Sequence, residues 1–145
     1  MLIKYSTAFS VLDKRLTSSV KTAVNDIATD LLRVAQARAP VDSKTLERSG
    51  RMKVSSTSSN ITANVTFKAT HKGYNYAKKM DEGSYHLGEK SLAKSASGVR
   101  SSFSSQTFQV GKGYLTDTAK ACESGYREHV ANKLEETIRT GGFNR

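Results

Sequence analysis

Few residues in this chain are of types that do chemistry, and their spacing decides what they can do. The histidines, His71, His86 and His129, show no ligand spacing with one another. Glu82 and His86 stand four apart, which on a helix would put both on one face where a metal could bridge them. Gly83 and Gly88 argue against a helix there. Asp81 and Glu82 are the nearest approach to a carboxylate pair, but adjacent side chains usually diverge, and a solvated turn accounts for them. The single cysteine, Cys122, excludes an internal disulfide, and its place in a helical apolar pattern points to a buried side chain rather than a reactive thiol. Gly-x-Ser-x-Gly, Cys-x-x-Cys, phosphate-loop and dinucleotide-binding patterns are absent. No enzyme activity, metal or cofactor is therefore expected.

The chain has 145 residues with 23 Lys and Arg against 13 Asp and Glu, a formal charge of +10. Such a balance points to partners rich in phosphate or carboxylate. The positive charge is spread over both helical regions and the central loops, without the dense basic block of a nucleic-acid-binding arm. Direct DNA contact and a solvated surface that neutralises an acidic neighbour are both open on this evidence. The longest apolar runs fall short of a membrane span, and Met1-Leu2-Ile3-Lys4 lacks the hydrophobic stretch of a secretion signal, so no membrane partner is expected and the reading is of a soluble protein retained in its producing cell.

The elements follow from periodicity. Leu12, Leu16, Val20, Val24, Ile27, Leu31 and Val34 recur at three- and four-residue steps, and Ser10 with Asp13 forms a capping box, which predicts a helix over 11–38 with a narrow apolar stripe. Pro40, the only proline, ends it. Asp42 and Ser43 then favour a tight turn, and Leu46, the one large apolar residue in the polar run that follows, is expected to plug that turn onto the core. Met52 and Val54, then Ile61, Ala63, Val65 and Phe67, alternate with polar residues and predict a β-hairpin with one buried face. The stretch 68–75 reads as a loop and 76–80 as a helical turn. Residues 84–105 hold eight serines with few apolar anchors, and read as a long loop that either stays disordered or becomes ordered against a neighbouring subunit. Thr107 to Val110 is expected to add a third strand. A second helix is predicted over 115–139 from Leu115, Ala119, Cys122, Tyr126, Val130, Leu134 and Ile138, closed by Gly141-Gly142. The expected fold is a single α+β domain over 1–145, with two long helices flanking a small antiparallel sheet and a long Ser-rich loop.

The run Ala39-Pro40-Val41-Asp42-Ser43-Lys44-Thr45-Leu46-x-x-Ser49 resembles the Ala-Pro-Val-Asp-Thr-Gly-x-Leu-x-x-Ser motif of the neck and tail-completion proteins of long-tailed bacteriophages, also called minor capsid or head-tail joining proteins. Two further blocks fall in the family's order. Tyr76-Ala77-x-x-Met80-Asp81-x-Gly83 resembles its Tyr-Ala-x-x-Val-Glu-x-Gly, and Tyr114-Leu115-x-x-x-Ala119 resembles the opening of its last helix. Lys44 stands in place of the family's glycine and Asp81 in place of a glutamate, so the turn after Asp42 is expected to differ in backbone geometry.

The resemblance implies a structural virion protein at the head-tail junction, as neck, tail-completion or tail-terminator subunit. It would assemble in the host cytoplasm into an expected six-fold ring around the DNA channel. The partners it implies are copies of itself, other neck, connector and tail-tube proteins, and the genome DNA. Lys78, Lys79, Lys90, Lys94 and Arg100 are the basic residues expected at subunit contacts or facing DNA. The alternative is a small basic nucleic-acid-binding protein.

Overall fold

The computed structural model describes residues 3–10, 14–41, 44–57, 60–95 and 98–140, with backbone only at 3–10 and 14. Strand β1 (Ile3–Ser10) leads into helix α1 (Lys14–Arg38), followed by the short α2 (Thr45–Arg48), the hairpin strands β2 (Arg51–Ser56) and β3 (Asn60–Phe67), and a two-residue ribbon, β4 (Thr70–His71) with β5 (Tyr74–Asn75). Helices α3 (Ala77–Glu82) and α4 (Glu89–Ser95), the strand pair β6 (Val99–Arg100) and β7 (Thr107–Phe108), and helix α5 (Thr116–Thr140) complete the order. The fold is α+β, with long helices near both ends of the chain and small antiparallel sheets, in agreement with the sequence-based class.

The main sheet has the order β1-β3-β2, antiparallel throughout, with Tyr5 opposite Val65 and Met52 opposite the same residue from the other side. Ile61, Ala63, Val65 and Phe67 are buried on one face, as strand alternation requires, and α1 packs across them. Helix α5 lies on the other side of α1, so α1 is sandwiched between sheet and helix.

That position explains its burial. Val20, Val24, Ile27, Leu31 and Val34 form the expected stripe with Ala23, Ala28 and Ala35 alongside, and Asp30 and Arg38 are buried beside them. The buried face is therefore wide, not narrow, and the partner it requires is supplied within the chain.

Three further expectations are corrected. The third strand of the hairpin's sheet is β1, whereas Thr107–Phe108 pairs with Val99–Arg100 in a separate ribbon. The stretch 68–75 contains the β4–β5 ribbon, turned at Lys72 and Gly73, both with positive φ. The Ser-rich segment is built into the subunit: it contains α4 and β6, and Ser91, Val99 and Ser101 are buried. Its serines look like linker composition, yet their hydroxyls bond to distant parts of the chain and satisfy the buried backbone. Lastly, α1 is described from Lys14; the capping box at Ser10 and Asp13 and the closing Gly141-Gly142 involve positions outside the described residues.

The Ser-rich segment is held against α5 at one glycine. A Cβ built on Gly125 would sit 1.8 Å from the carbonyl oxygen of Phe103. Phe103 packs edge-on against Tyr126, with ring centroids 5.9 Å apart. At an open helix position Gly→Ala stabilises by roughly 1 kcal/mol. Here Gly125→Ala is expected to destabilise by about 2 kcal/mol, because the Phe103 backbone must move away. Ser124→Ala, one residue before on the exposed face, serves as control. Thermal unfolding of the two variants measures the sign, and a stabilised Gly125→Ala would show that 101–103 does not rest on α5.

Candidate functional site

The second and third sequence blocks meet at one buried joint, which the end of α1 enters just ahead of the first block. Helix α1 runs into it at Arg38, whose side chain sits among apolar neighbours at 7% exposure. The guanidinium stays there because it is surrounded by oxygen. Its Nε donates to Gln109 O at 2.8 Å, Nη1 to Gly113 O at 3.0 Å and Thr118 Oγ1 at 2.6 Å, and Nη2 to Lys112 O at 3.3 Å. The ring of Phe108 lies 4.9 Å below the guanidinium carbon, a cation–π arrangement. Gly111 N–H returns a bond to Arg38 O at 2.9 Å. Burial pulls the Arg38 pKa down, opposed by the charges of Asp117 and Asp81.

Asp81, at 1% exposure, caps α5 from outside its own segment. Oδ1 accepts the backbone N–H groups of Leu115 (2.9 Å) and Thr116 (3.2 Å), and Oδ2 accepts the Thr116 hydroxyl at 2.7 Å. The first N–H groups of a helix lack internal partners and carry partial positive charge, so a carboxylate there does two jobs. Gly113, held at φ 77°, donates its N–H to Asp81 O at 2.7 Å, which brings the turn back under α3. The Tyr114 hydroxyl donates to Ala77 O at 3.0 Å, and its ring meets Phe67 edge-on at 5.1 Å. Burial with Asp81 nearby pushes the Tyr114 phenol well above its ordinary range.

The first block reaches the same joint through the C-terminus of α1. Leu46 is buried, at 2% exposure, in the place its isolation in a polar run requires. Ser49 Oγ donates to Leu46 O at 2.7 Å and accepts Lys68 N–H at 3.2 Å, tying α2 to the end of β3. Lys44 adopts φ 63° and ψ 9°, the left-handed conformation that glycine favours. The backbone at Lys44 is thus glycine-like in spite of the side chain. Asp42 and Ser43 lie outside the described residues.

Pro40, Leu46, Tyr76, Met80, Tyr85 and Ser91 are among the residues around a cleft of about 250 Å³ beside the joint. Gly83 ends α3 by donating to Lys79 O at 2.7 Å.

The five basic residues expected at contacts do not act as one set. Lys94 is a correction: its ammonium turns inward, donating to Gln36 O (2.7 Å) and Ala39 O (2.9 Å) and pairing with Glu47 at 3.1 Å. A cation at the carbonyl end of α1 is favoured by the helix dipole, and that local advantage outcompetes an outward position. Lys78 lies 3.9 Å from Glu82 on α3, Lys79 and Lys90 are exposed on separate helices, and Arg100 is exposed on β6 with its carbonyl accepting from Arg33.

Residues absent from the sequence reading carry much of the joint. Arg38 and Asp30 occupy stripe positions of α1, as Thr118 does on α5, and a charged or hydroxylated residue inside an apolar stripe was the available signal. Asp30 accepts from Tyr126 OH at 2.8 Å, Ser102 N–H at 2.9 Å and Arg33 at 2.8 Å, and from the Ser101 hydroxyl. Burial pushes its pKa up, but these hydrogen bonds more than offset that and hold it below the ordinary carboxylate value. Cys122 is fully buried and its thiol pKa is raised by burial. Among the described residues no cluster of three or more His, Cys, Asp or Glu side chains is placed to hold a metal, and no helix is long and apolar enough to cross a membrane.

Asp81→Ala removes three accepted hydrogen bonds and strands buried donors, and is expected to cost about 3 kcal/mol. Asp117→Ala, in the exposed first turn of α5, should cost about 0.5 kcal/mol. Urea titration of both variants tests this, and near-equal losses would show that the helix end does not depend on Asp81.

No family model matches this chain, and neither does any curated protein or solved structure.

Proposed function

We propose that this chain is a structural subunit of the bacteriophage head-tail junction, assembling as a ring around the DNA channel. The observation that carries the reading is the convergence of the three family-like blocks. Residues 76–83 and 114–115 interlock through Asp81 and Tyr114, and Pro40, Val41, Thr45 and Leu46 of the first block line one cleft with Tyr76 and Met80 of the second, although the three blocks are far apart in sequence. Short motifs that matched by accident would have no reason to meet. Their polar atoms are turned on one another and on backbone groups, so what the blocks do here is fix geometry.

The surfaces also suit a ring. A cyclic assembly needs two different patches that match between successive copies. Among the described residues, the order β1-β3-β2 leaves β1 and β2 as the two edges of the sheet. These edges offer backbone donors and acceptors for head-to-tail contact.

A rival reading, a monomeric nucleic-acid-binding protein, draws on the basic character of the region from Lys44 to Lys79. It predicts tight duplex binding by the single subunit with steep salt dependence.

Sizing and electron microscopy of the purified protein, with a search for the protein in purified virions, separate the two. The proposed function predicts closed rings with a central opening, presence in the virion, and unjoined heads and tails when the gene is disrupted. A monomer at all concentrations, absent from virions, would reject it.

A further inference from the structure

We infer that the open face of the main sheet is a contact surface for the DNA sugar-phosphate backbone. One face of this sheet is closed by α1, and strand alternation fixes what the other presents. On β3 it carries Thr62, Asn64 and Thr66; on β2 it carries Arg51, Lys53 and Ser55, all three exposed. The register sets Arg51 opposite Thr66 and Lys53 opposite Asn64, while on the far side Lys4 of β1 is also opposite Thr66. Lys68 follows two residues after Thr66, on the same side, and is exposed. Neighbouring strands lie about 4.8 Å apart and same-face residues about 6.8 Å apart along a strand. Lys53 and Lys68 therefore stand on one face no more than a few phosphate spacings apart, interleaved with hydroxyl and amide groups, while Arg51 Nη1 donates to Arg48 O and Gly50 O at the edge of the face.

The composition of the face is one-sided. None of the three strands contains an acidic residue. From Lys44 to Lys79 the chain has eight Lys and Arg and one acidic residue, Glu47, which Lys94 engages at 3.1 Å. A flat face of Lys, Arg, Ser, Thr and Asn without carboxylates complements a polyanion whose negative groups are oxygens in regular array. Lys and Arg neutralise phosphates, and short polar side chains donate hydrogen bonds to them. Cations and short hydroxyl or amide side chains suit phosphate and sugar oxygens, so the contact is expected to carry little sequence preference.

That DNA is the polyanion met here rests on the neck reading, in which this face would line the channel. The chemistry of the face does not depend on it. The small number of cations also sets the strength: a single subunit should bind weakly, and a ring would multiply the contacts.

The test uses the full-length protein and a labelled duplex of arbitrary sequence, titrated at several salt concentrations. Lys53→Gln with Lys68→Gln is compared with Lys21→Gln and Lys120→Gln, exposed helix positions with the same loss of net charge. The sheet pair should weaken binding about tenfold at low salt and lower the salt slope by about 2, with the helix pair changing little. Equal weakening by both pairs would mean that only net charge matters and would overturn the assignment. So would absence of duplex binding by the parent protein at low salt, or displacement of the duplex by poly-glutamate as readily as by unlabelled DNA, which would point to an acidic protein surface instead. Ring formation by the sheet pair is measured in parallel. Rings that form normally but bind DNA weakly support the face within the neck reading. A protein that never forms rings yet shows the sheet-specific loss would reject the neck reading and leave the face standing.

Discussion

A guanidinium sunk among apolar side chains is tolerable only if oxygen atoms surround it, and Arg38 is such a group. Three carbonyls of the 109–113 turn and the Thr118 hydroxyl supply those oxygens, which means that the turn must wrap around the end of α1 before α5 can begin. Gly111 and Gly113, both with positive φ, permit that path. Once Gly113 is in place its N–H reaches Asp81 O, and the Asp81 carboxylate takes the first N–H groups of α5. Satisfying one buried cation thus fixes a turn, the turn fixes a helix terminus, and the terminus fixes α3. Asp81 and Leu115, from the second and third sequence blocks, are links in this chain of dependence.

From the joint, α5 runs back antiparallel along α1, and polar pairs mark the path. Arg38 meets Thr118, Asp30 meets Tyr126, and His129 meets Asp26 at 2.9 Å, with Ser19 and Thr137 in contact further along. An apolar seam alone would tolerate a slip of one turn at modest cost. Each of these pairs would lose its partner in such a slip, and for the buried Arg38–Thr118 and Asp30–Tyr126 pairs a stranded polar group costs about 1–3 kcal/mol. Polar pairs therefore fix the register of the two long helices, while Ile27, Leu31, Cys122 and Val130 supply the burial that drives them together.

The long helices and the hairpin were legible in the sequence because each buries one face along many residues, so periods of 3.6 and 2 are sustained. Leu46 was legible for the opposite reason, as one large apolar residue in a polar run. What escaped was either short or held by distant partners. Helix α4 has seven residues, and only Ser91 is buried in it, through its hydroxyl bonds to Val41. A serine-rich run therefore looks like a linker until the backbone it serves is known. Strand β1 alternates as a strand should, but its pairing with β3 spans more than fifty residues and has no local mark. Among the basic residues, Lys94 was misplaced because the carbonyl end of a helix attracts a lysine as strongly as an outside partner does, whereas the basic sheet face appears only once strand register sorts residues to one side.

If one buried cation organises the fold in this way, the joint around Arg38 and Asp81 is the last part to open. Native-state amide exchange at Gly111, Gly113, Leu115 and Thr116 measures it directly, since all four N–H groups are held by this joint and none by regular helix or strand bonds. The account predicts that they exchange only with global unfolding, with protection equal to that of the middle of α1. Exchange of these amides at the rate of a frayed helix end, while the middle of α1 stays protected, would contradict it.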